Sequence, residues 1–264
     1  MKLRSPRRHF KKGRRDFRVF SRLVDAFSVR DGEVVTLVGA GGKTLTMFSL
    51  ARELATIGKN VVTTTTTRIE IPSSDMTKRL LINPTAEELG RALSRYGHVT
   101  CGWRIIRRVG KVAGVKPEVI RDWLSLTNVD CVIVEADGSK KRPFKAPAKH
   151  EPVIPPSTTL YIPVLGADAL GKRLSREHAH RPKLVARLTG MRLGDPITLG
   201  ALIQVMNHYL EMAPRGSRSL AFVNKVDDER TLDRLEPMVD EVMTNRVILG
   251  SVFGGKYWVF EGEG

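Results

Sequence analysis

A doubly wound, mostly parallel α/β fold is predicted by three features of this 264-residue chain. Short β-branched runs alternate with helical patterns along most of its length, the rhythm of a parallel sheet with crossover helices. One run, Val34-Val35-Thr36-Leu37-Val38, passes straight into Gly39-Ala40-Gly41-Gly42-Lys43-Thr44 and a helical pattern. Another, Cys131-Val132-Ile133-Val134, closes on Glu135-Ala136-Asp137-Gly138, an acidic strand end of the kind where open α/β sheets gather ligands. With 41% hydrophobic residues, the chain can bury a substantial core as one large domain or one domain with an insertion.

A first helix is expected at about Val19 to Phe27, ahead of the strand Glu33 to Val38. The helix from Thr44 to Ile57 offers Leu45, Phe48, Leu50, Ala51, Leu54 and Ala55 as its apolar face and stops at Gly58. Strands follow at Asn60 to Thr66 and Leu80 to Ile82. Thr85, with Glu88 three residues on, makes a capping box that opens a helix to Tyr96. Val99 to Cys101 and Trp103 to Val115 read as a small antiparallel excursion turning at Gly110, and Pro117 to Leu126 as a helix leading to strand Cys131 to Glu135. A loop from Ala136 to Ser157, with five prolines, breaks the rhythm; loops of that length tend to be functional or disordered. Strand Thr159 to Leu165, a helix pair within Lys183 to Met212, strand Ser219 to Asn224, helix Asp228 to Met243 and strand Val247 to Gly250 complete the pattern.

The formal charge is +16, and half of it falls in residues 1–18. Such a block reads as a basic flexible tail ahead of a domain spanning 19–264. It suits nonspecific contact with RNA, because dense Lys and Arg displace counterions from phosphate backbones whatever the sequence. Cys101 and Cys131 sit in apolar surroundings and form no disulfide or metal pattern, which points to a reducing, cytoplasmic setting. No stretch reaches the roughly 18 apolar residues of a membrane helix, and the charged N-terminus has no apolar segment of a signal peptide.

A strand, a glycine turn and Lys-Thr opening a helix together hold polyphosphate. Glycines let backbone N–H groups point inward, the helix N-terminus adds positive potential, Lys43 reaches β/γ-phosphates and the Thr44 hydroxyl holds Mg²⁺. Residues 39–44 are therefore a P-loop in all but length. The eight-residue form needs glycine at 37, where Leu37 stands, so the turn resembles the shorter GxxGK[ST] of some ATP-dependent ligases and leaves GTP or ATP open. Lys43 and Asp137 are the candidate catalytic pair, and Glu135 or Asp137 would join Thr44 on Mg²⁺; an acid after an apolar strand equally suits a plain turn. Asn224-Lys225-Val226-Asp227 follows an apolar strand. There a carboxylate can accept from the N1–H and amine of guanine, whereas adenine offers an acceptor at N1. The same tetrapeptide also suits a helix cap. Thr63 to Thr67 and Arg68 fit a strand end by propensity, and beside a P-loop they would also serve a phosphate or Mg²⁺ shell.

The loop after Asp137-Gly138 carries Lys140, Lys141, Arg142, Lys145 and Lys149 between stiffening prolines. A rigid basic loop suits capture of an anionic second substrate or closure over triphosphate, as it also suits a solvated surface. Lys145, His150, Glu151, His180 and Arg181 are the candidate substrate residues. His178 and His180 lack an obvious third metal ligand, so an anion-binding His180-Arg181 pair fits better than zinc.

The combination of GAGGKT, the threonine strand end, EADGS followed by KAPAKHEPVIP, GADALGK from Gly166, HRP at His180 and NKVD at Asn224 resembles the YqeC family of selenium-dependent molybdenum hydroxylase accessory proteins. The resemblance covers about Phe27 to Ser251 and is most specific from Glu135 to Pro155; the basic N-terminus lies outside it. It implies a three-layer P-loop NTPase-like fold and a role in maturing a molybdenum hydroxylase or its selenium-containing cofactor, with such an enzyme or maturation protein as partner. The combined expectation is a Mg²⁺-dependent nucleotide hydrolase that favours GTP. The alternative is an ATP-dependent kinase or ligase acting on an anionic small molecule.

Overall fold

Residues 16–126 and 128–262 are described by the computed structural model. Most of the basic tail, residues 1–15, lies outside them. An 11-stranded sheet runs through the molecule. Its main path is Arg18–Phe20, Lys256–Glu261, Arg246–Ser251, Ala221–Asn224, Leu160–Gly166, Glu33–Gly39, Cys131–Glu135, Val61–Thr65, His98–Gly102 and Leu80–Ile82. From Arg246–Ser251 onward every pairing on this path is parallel; the first two are antiparallel. The strand Glu33–Gly39 is buried along its whole length, so its sequence is a near-continuous apolar run rather than an alternating one, with the buried Thr36 hydroxyl paired to Thr158 and Glu33 to Arg218.

Alternation along the strands divides the core into two faces. Val35, Leu37, Ile133, Ile162 and Phe222 face the helices Leu23–Phe27 and Lys43–Thr56, which bury Phe27, Met47, Phe48, Leu50 and Ala51 against them. On the opposite face, Val34, Val62, Val132 and Val134 meet Leu89 and Leu93 of helix Ala86–Tyr96 and Ile120 and Trp123 of Val119–Leu124. Farther along it, Val38, Tyr161, Leu165 and Val223 take Leu202, Val205, Met206 and Tyr209 of helix Leu199–Leu210. The result is three layers, helices over and under a sheet, as expected.

Thr85 accepts from the Glu88 N–H and Glu88 from the Thr85 N–H, so the capping box is formed. The antiparallel excursion is present over its second half, where Arg104–Ile106 pairs Lys111–Ala113, which pairs Arg68–Glu70, with Gly110 at φ 61° in the turn; Val99 to Cys101 instead lie in a strand of the central sheet with parallel neighbours on both sides. Other boundaries differ. Val19 belongs to an edge strand opposite Trp258 and not to a helix, which starts only at Leu23. The sheet thus reaches into the stretch taken as tail, and Phe17 is buried with its ring 5.5 Å from that of Phe260. The strand Lys256–Glu261 was not expected; its two faces enter different core clusters, Tyr257 and Val259 on one side and Trp258 and Phe260 on the other, so no polar alternation marks it. The helix expected from Asp228 to Met243 is α-helical only over Glu229–Leu235 and tightens to 3₁₀ at Glu236–Asp240, where Pro237 removes a backbone donor. Both cysteines are free and buried, and burial pushes the Cys101 thiol up to about 12, leaving it inert at neutral pH. Among the described residues no helix is long and apolar enough to cross a membrane.

Candidate functional site

The glycine turn sits at the carboxyl end of an interior strand, in the crowded space between that strand and its neighbours. Gly39, Gly41 and Gly42 have φ of 94°, 84° and 114°. A Cβ on Gly41 would lie 2.1 Å from the Gly166 nitrogen, so only glycine fits there. The first N–H groups of the turn are spent on the protein itself. Gly39 donates to Asp137 Oδ1 at 3.0 Å, Ala40 to the Val164 carbonyl at 2.8 Å and Gly41 to the Arg142 carbonyl at 3.3 Å. Among the described residues, no acceptor takes the N–H groups of Gly42, Lys43 or Thr44, which open the 14-residue helix Lys43–Thr56. These three converging donors at a helix N-terminus form an anion cradle.

Lys43 is buried, with Nζ 2.7 Å from the Gly39 carbonyl, 3.3 Å from Asp137 Oδ1 and 3.9 Å from Glu135 Oε1. The Thr44 hydroxyl donates to Glu135 Oε2 at 2.7 Å. Burial raises the Glu135 pKa, opposed by the Lys43 charge and the Thr44 hydrogen bond. The hydroxyl and carboxylate form a hard-oxygen pair beside the cradle, the donor chemistry Mg²⁺ takes. The two acids have different surroundings. Asp137 has no exposed surface, and its Oδ2 receives Lys145 Nζ at 2.6 Å and the Tyr209 hydroxyl at 3.2 Å while Oδ1 holds Gly39. With both oxygens engaged, Asp137 fixes the turn, and Glu135 is the carboxylate that faces Thr44.

Lys145 is also fully buried, bonded to Asp137, to the Gly138 carbonyl at 2.9 Å and to Glu151 at 2.8 Å. Arg181 grips Glu151 with both terminal guanidinium nitrogens. Burial works to raise the Glu151 pKa, but the Arg181 and Lys145 hydrogen bonds and charges overrule it and hold the carboxyl at about 2. Gly39, Asp137, Lys145, Glu151 and Arg181 thus make one chain of charge-assisted bonds running from the glycine turn into the basic loop. The short parallel pair Phe144–Lys145 and Ala179–His180 aligns its two sides. His180 is half-buried, and burial with the Arg181 and Lys145 charges lowers its pKa to about 4. His150 is exposed at the loop surface.

The Asn224-Lys225-Val226-Asp227 segment lies against the same turn. Asn224 donates to the Gly41 carbonyl at 2.8 Å and accepts the Val252 N–H at 3.1 Å, locking the turn to the end of strand Arg246–Ser251. Lys225 reaches Asp168 at 2.7 Å. Asp227 is exposed, with Oδ1 held by the Ser251 hydroxyl at 2.5 Å. The helix cap is supplied instead by Asp228, whose side chain accepts the Thr231 N–H. The threonine run is turned inward: Thr64 donates to the Cys101 carbonyl, Thr65 to Glu135 and Thr66 to Val153, so these hydroxyls knit strands and loop together. Tyr209, Ser251 and the Arg142 carbonyl are site elements that sequence reasoning missed. They arrive from a helix face, a strand end and a backbone atom, and carry no local motif.

A parallel sheet between two helical layers, with a Gly-Gly-Lys-Thr helix start at the end of an interior strand, defines a three-layer α/β protein of the P-loop type. The profile of the YqeC protein family matches residues 35–183. A relative from Escherichia coli (strain K12), named uncharacterized protein YqeC, is 32% identical over 206 residues, which span 77% of this chain and 80% of the relative. The chain belongs to the YqeC family.

Proposed function

We propose that this protein binds and hydrolyses a nucleoside triphosphate, GTP in preference to ATP, with Mg²⁺. The observation that carries the reading is the cradle itself: three unclaimed N–H groups at a helix N-terminus, with Lys43 folded beside them and Thr44 paired to Glu135. An incoming β/γ-phosphate offers Lys43 a stronger acceptor than the neutral Gly39 carbonyl, because a bond between two charged groups is roughly twice as strong as a neutral one. Thr44 and Glu135 would hold Mg²⁺ directly or through its water, where it would neutralise charge developing on the phosphoryl oxygens. Asp137 keeps the turn in position. Asp227, with one oxygen anchored by Ser251, has the other available for the guanine N1–H and amine.

The family resemblance extends the proposal to an accessory step in maturing a molybdenum hydroxylase or its selenium-containing cofactor. The kinase or ligase alternative is favoured by one observation, a basic cavity beside the cradle. The test of the hydrolase reading is GTP turnover followed by phosphate release. Turnover requiring Mg²⁺ and falling about 100-fold or more in Thr44→Ala supports it, by analogy with the loss of one electrostatic contact in other enzymes; turnover unchanged in Thr44→Ala or with chelator present rejects it.

A further inference from the structure

A cavity of about 890 Å³ opens between the basic loop and the start of helix Pro182–Thr189. Its volume is in the range of about 300–1,000 Å³ that holds small ligands. Lys140, Arg142, Arg176, His180, Arg181 and Lys183 line it, and no carboxylate does. Arg181 is occupied by Glu151, but among the described residues no carboxylate pairs with Lys140, Arg142, Arg176 or Lys183. Like charges gathered in one concavity repel one another, so the arrangement favours an anionic ligand. Leu174, Ala179, Pro182 and Leu193 supply an apolar wall on the same cavity. A ligand that satisfies both parts has an apolar body and a compact, highly charged head.

We infer that this cavity binds the phosphate monoester of an apolar small molecule, as the second ligand of the nucleotide site. That second role rests on the nucleotide reading above; the binding of the ester does not. Two connections join the sites. The Arg142 carbonyl receives the Gly41 N–H of the glycine turn while its guanidinium Nε holds the Arg176 carbonyl. The charged chain from Gly39 through Asp137, Lys145 and Glu151 ends on Arg181, which lines the cavity. A phosphate head competing with Glu151 for Arg181 therefore alters the charge balance held by Lys145 and Asp137, and so the glycine turn. A phosphate dianion is preferred over a carboxylate because it offers three acceptor oxygens to several cations at once.

The test is fluorescence titration of the full chain with 1-naphthyl phosphate, 1-naphthoate and uncharged 1-naphthol. Arg176 and Lys183 are exposed, so their reversal leaves the fold intact. The expected result is binding of 1-naphthyl phosphate that weakens about 10-fold or more in Arg176→Glu and in Lys183→Glu and is unchanged in Arg121→Glu, the reversal of an exposed cation on helix Val119–Leu124 outside the cavity, with 1-naphthoate weaker and 1-naphthol unbound. The inference is overturned if wild type fails to bind the ester, if 1-naphthoate or 1-naphthol binds equally well, if both reversals bind it as wild type does, or if Arg121→Glu weakens it as much as they do. For the coupling, saturating GTP with Mg²⁺ should change the ester affinity about fivefold or more, and Glu151→Gln should remove that change. An ester affinity indifferent to bound GTP overturns the second-ligand role. Failure of GTP itself to bind instead rejects the nucleotide reading and leaves the cavity as an independent anion site.

Discussion

Lys145 sits with no exposed surface between two carboxylates, Asp137 at 2.6 Å and Glu151 at 2.8 Å. Removing one member of such a set leaves uncompensated buried charge, at a cost of about 3–5 kcal/mol. Lys145→Ala should lower Tm by roughly 6–20 °C in a chain of this size; an unchanged Tm would show that the pair is dispensable. Asp227 makes a different prediction because it is exposed and its proposed role is recognition. Asp227→Asn swaps an acceptor for a donor facing guanine donors and should cost GTP about 2–4 kcal/mol, with little effect on ATP. Competitive titration decides it, and equal wild-type affinity for GTP and ATP would reduce the segment to a structural brace. Phe253 is 96% exposed in the turn that Ser251 holds through the Gly254 N–H. A nearly bare aromatic two residues from Ser251, which holds Asp227, suits stacking on the proposed base, so Phe253→Ala should weaken guanosine nucleotides about 5- to 100-fold. Equal affinity in the variant would assign that ring another role.

At the scale of elements, sequence and structure agree best where the chemistry is contiguous. Strand, glycine turn and helix from Glu33 to Thr56 were legible because geometry, phosphate chemistry and helix start all lie in one run of chain. The acid at the end of strand Cys131–Glu135 was legible for the same reason, but the division of labour between Glu135 and Asp137 was not. It depends on Lys145, eight residues on, and on Tyr209 from helix Leu199–Leu210. The threonine run looked the same in sequence whether its hydroxyls met ligand or protein; only the neighbouring strands show that Thr64 and Thr65 serve the sheet. One strand edge also sets the acid behaviour. His98 is buried against Thr63 Oγ1 at 3.0 Å, and burial, helped by the Arg52 charge, lowers its pKa from 6.5 to about 4. As pH falls from 6.5 towards 4 the unfolded chain takes a proton that the folded imidazole refuses, so stability declines over that window. Glu151 acts lower: its contribution is complete above its ordinary value of 4.5 and is lost as pH falls through about 2. Denaturant unfolding across pH 4 to 7 should show the first decline and a shallower one in His98→Gln; an identical slope in the variant would contradict the assignment.

Across the whole molecule, fold class was legible because β-branched runs and helical patterns alternate for most of the chain, and the parallel order follows from that alternation. The antiparallel edge was not, since Lys256–Glu261 is buried on both faces and shows no polar alternation, and its outer partner Arg18–Phe20 lies at the other end of the sequence. The basic cavity was legible in part: the loop after Asp137 and the His180-Arg181 pair read as anion-binding, whereas Arg176, Lys183 and the apolar wall come from residues 174–194 that carry no motif. What unites these parts is the carboxyl edge of the sheet, where the turn, the acidic strand end, Asn224 and the charged chain to Arg181 all meet. Titration of GTP and GDP with Mg²⁺ into wild type and Lys43→Ala tests that account most directly. Lys43 is buried and ion-paired with Asp137, so a thermal melt of the variant accompanies the titration; the folded variant should bind GTP about 10-fold or more weakly and lose less affinity for GDP. Equal affinities of wild type and variant for both nucleotides would contradict the phosphate cradle.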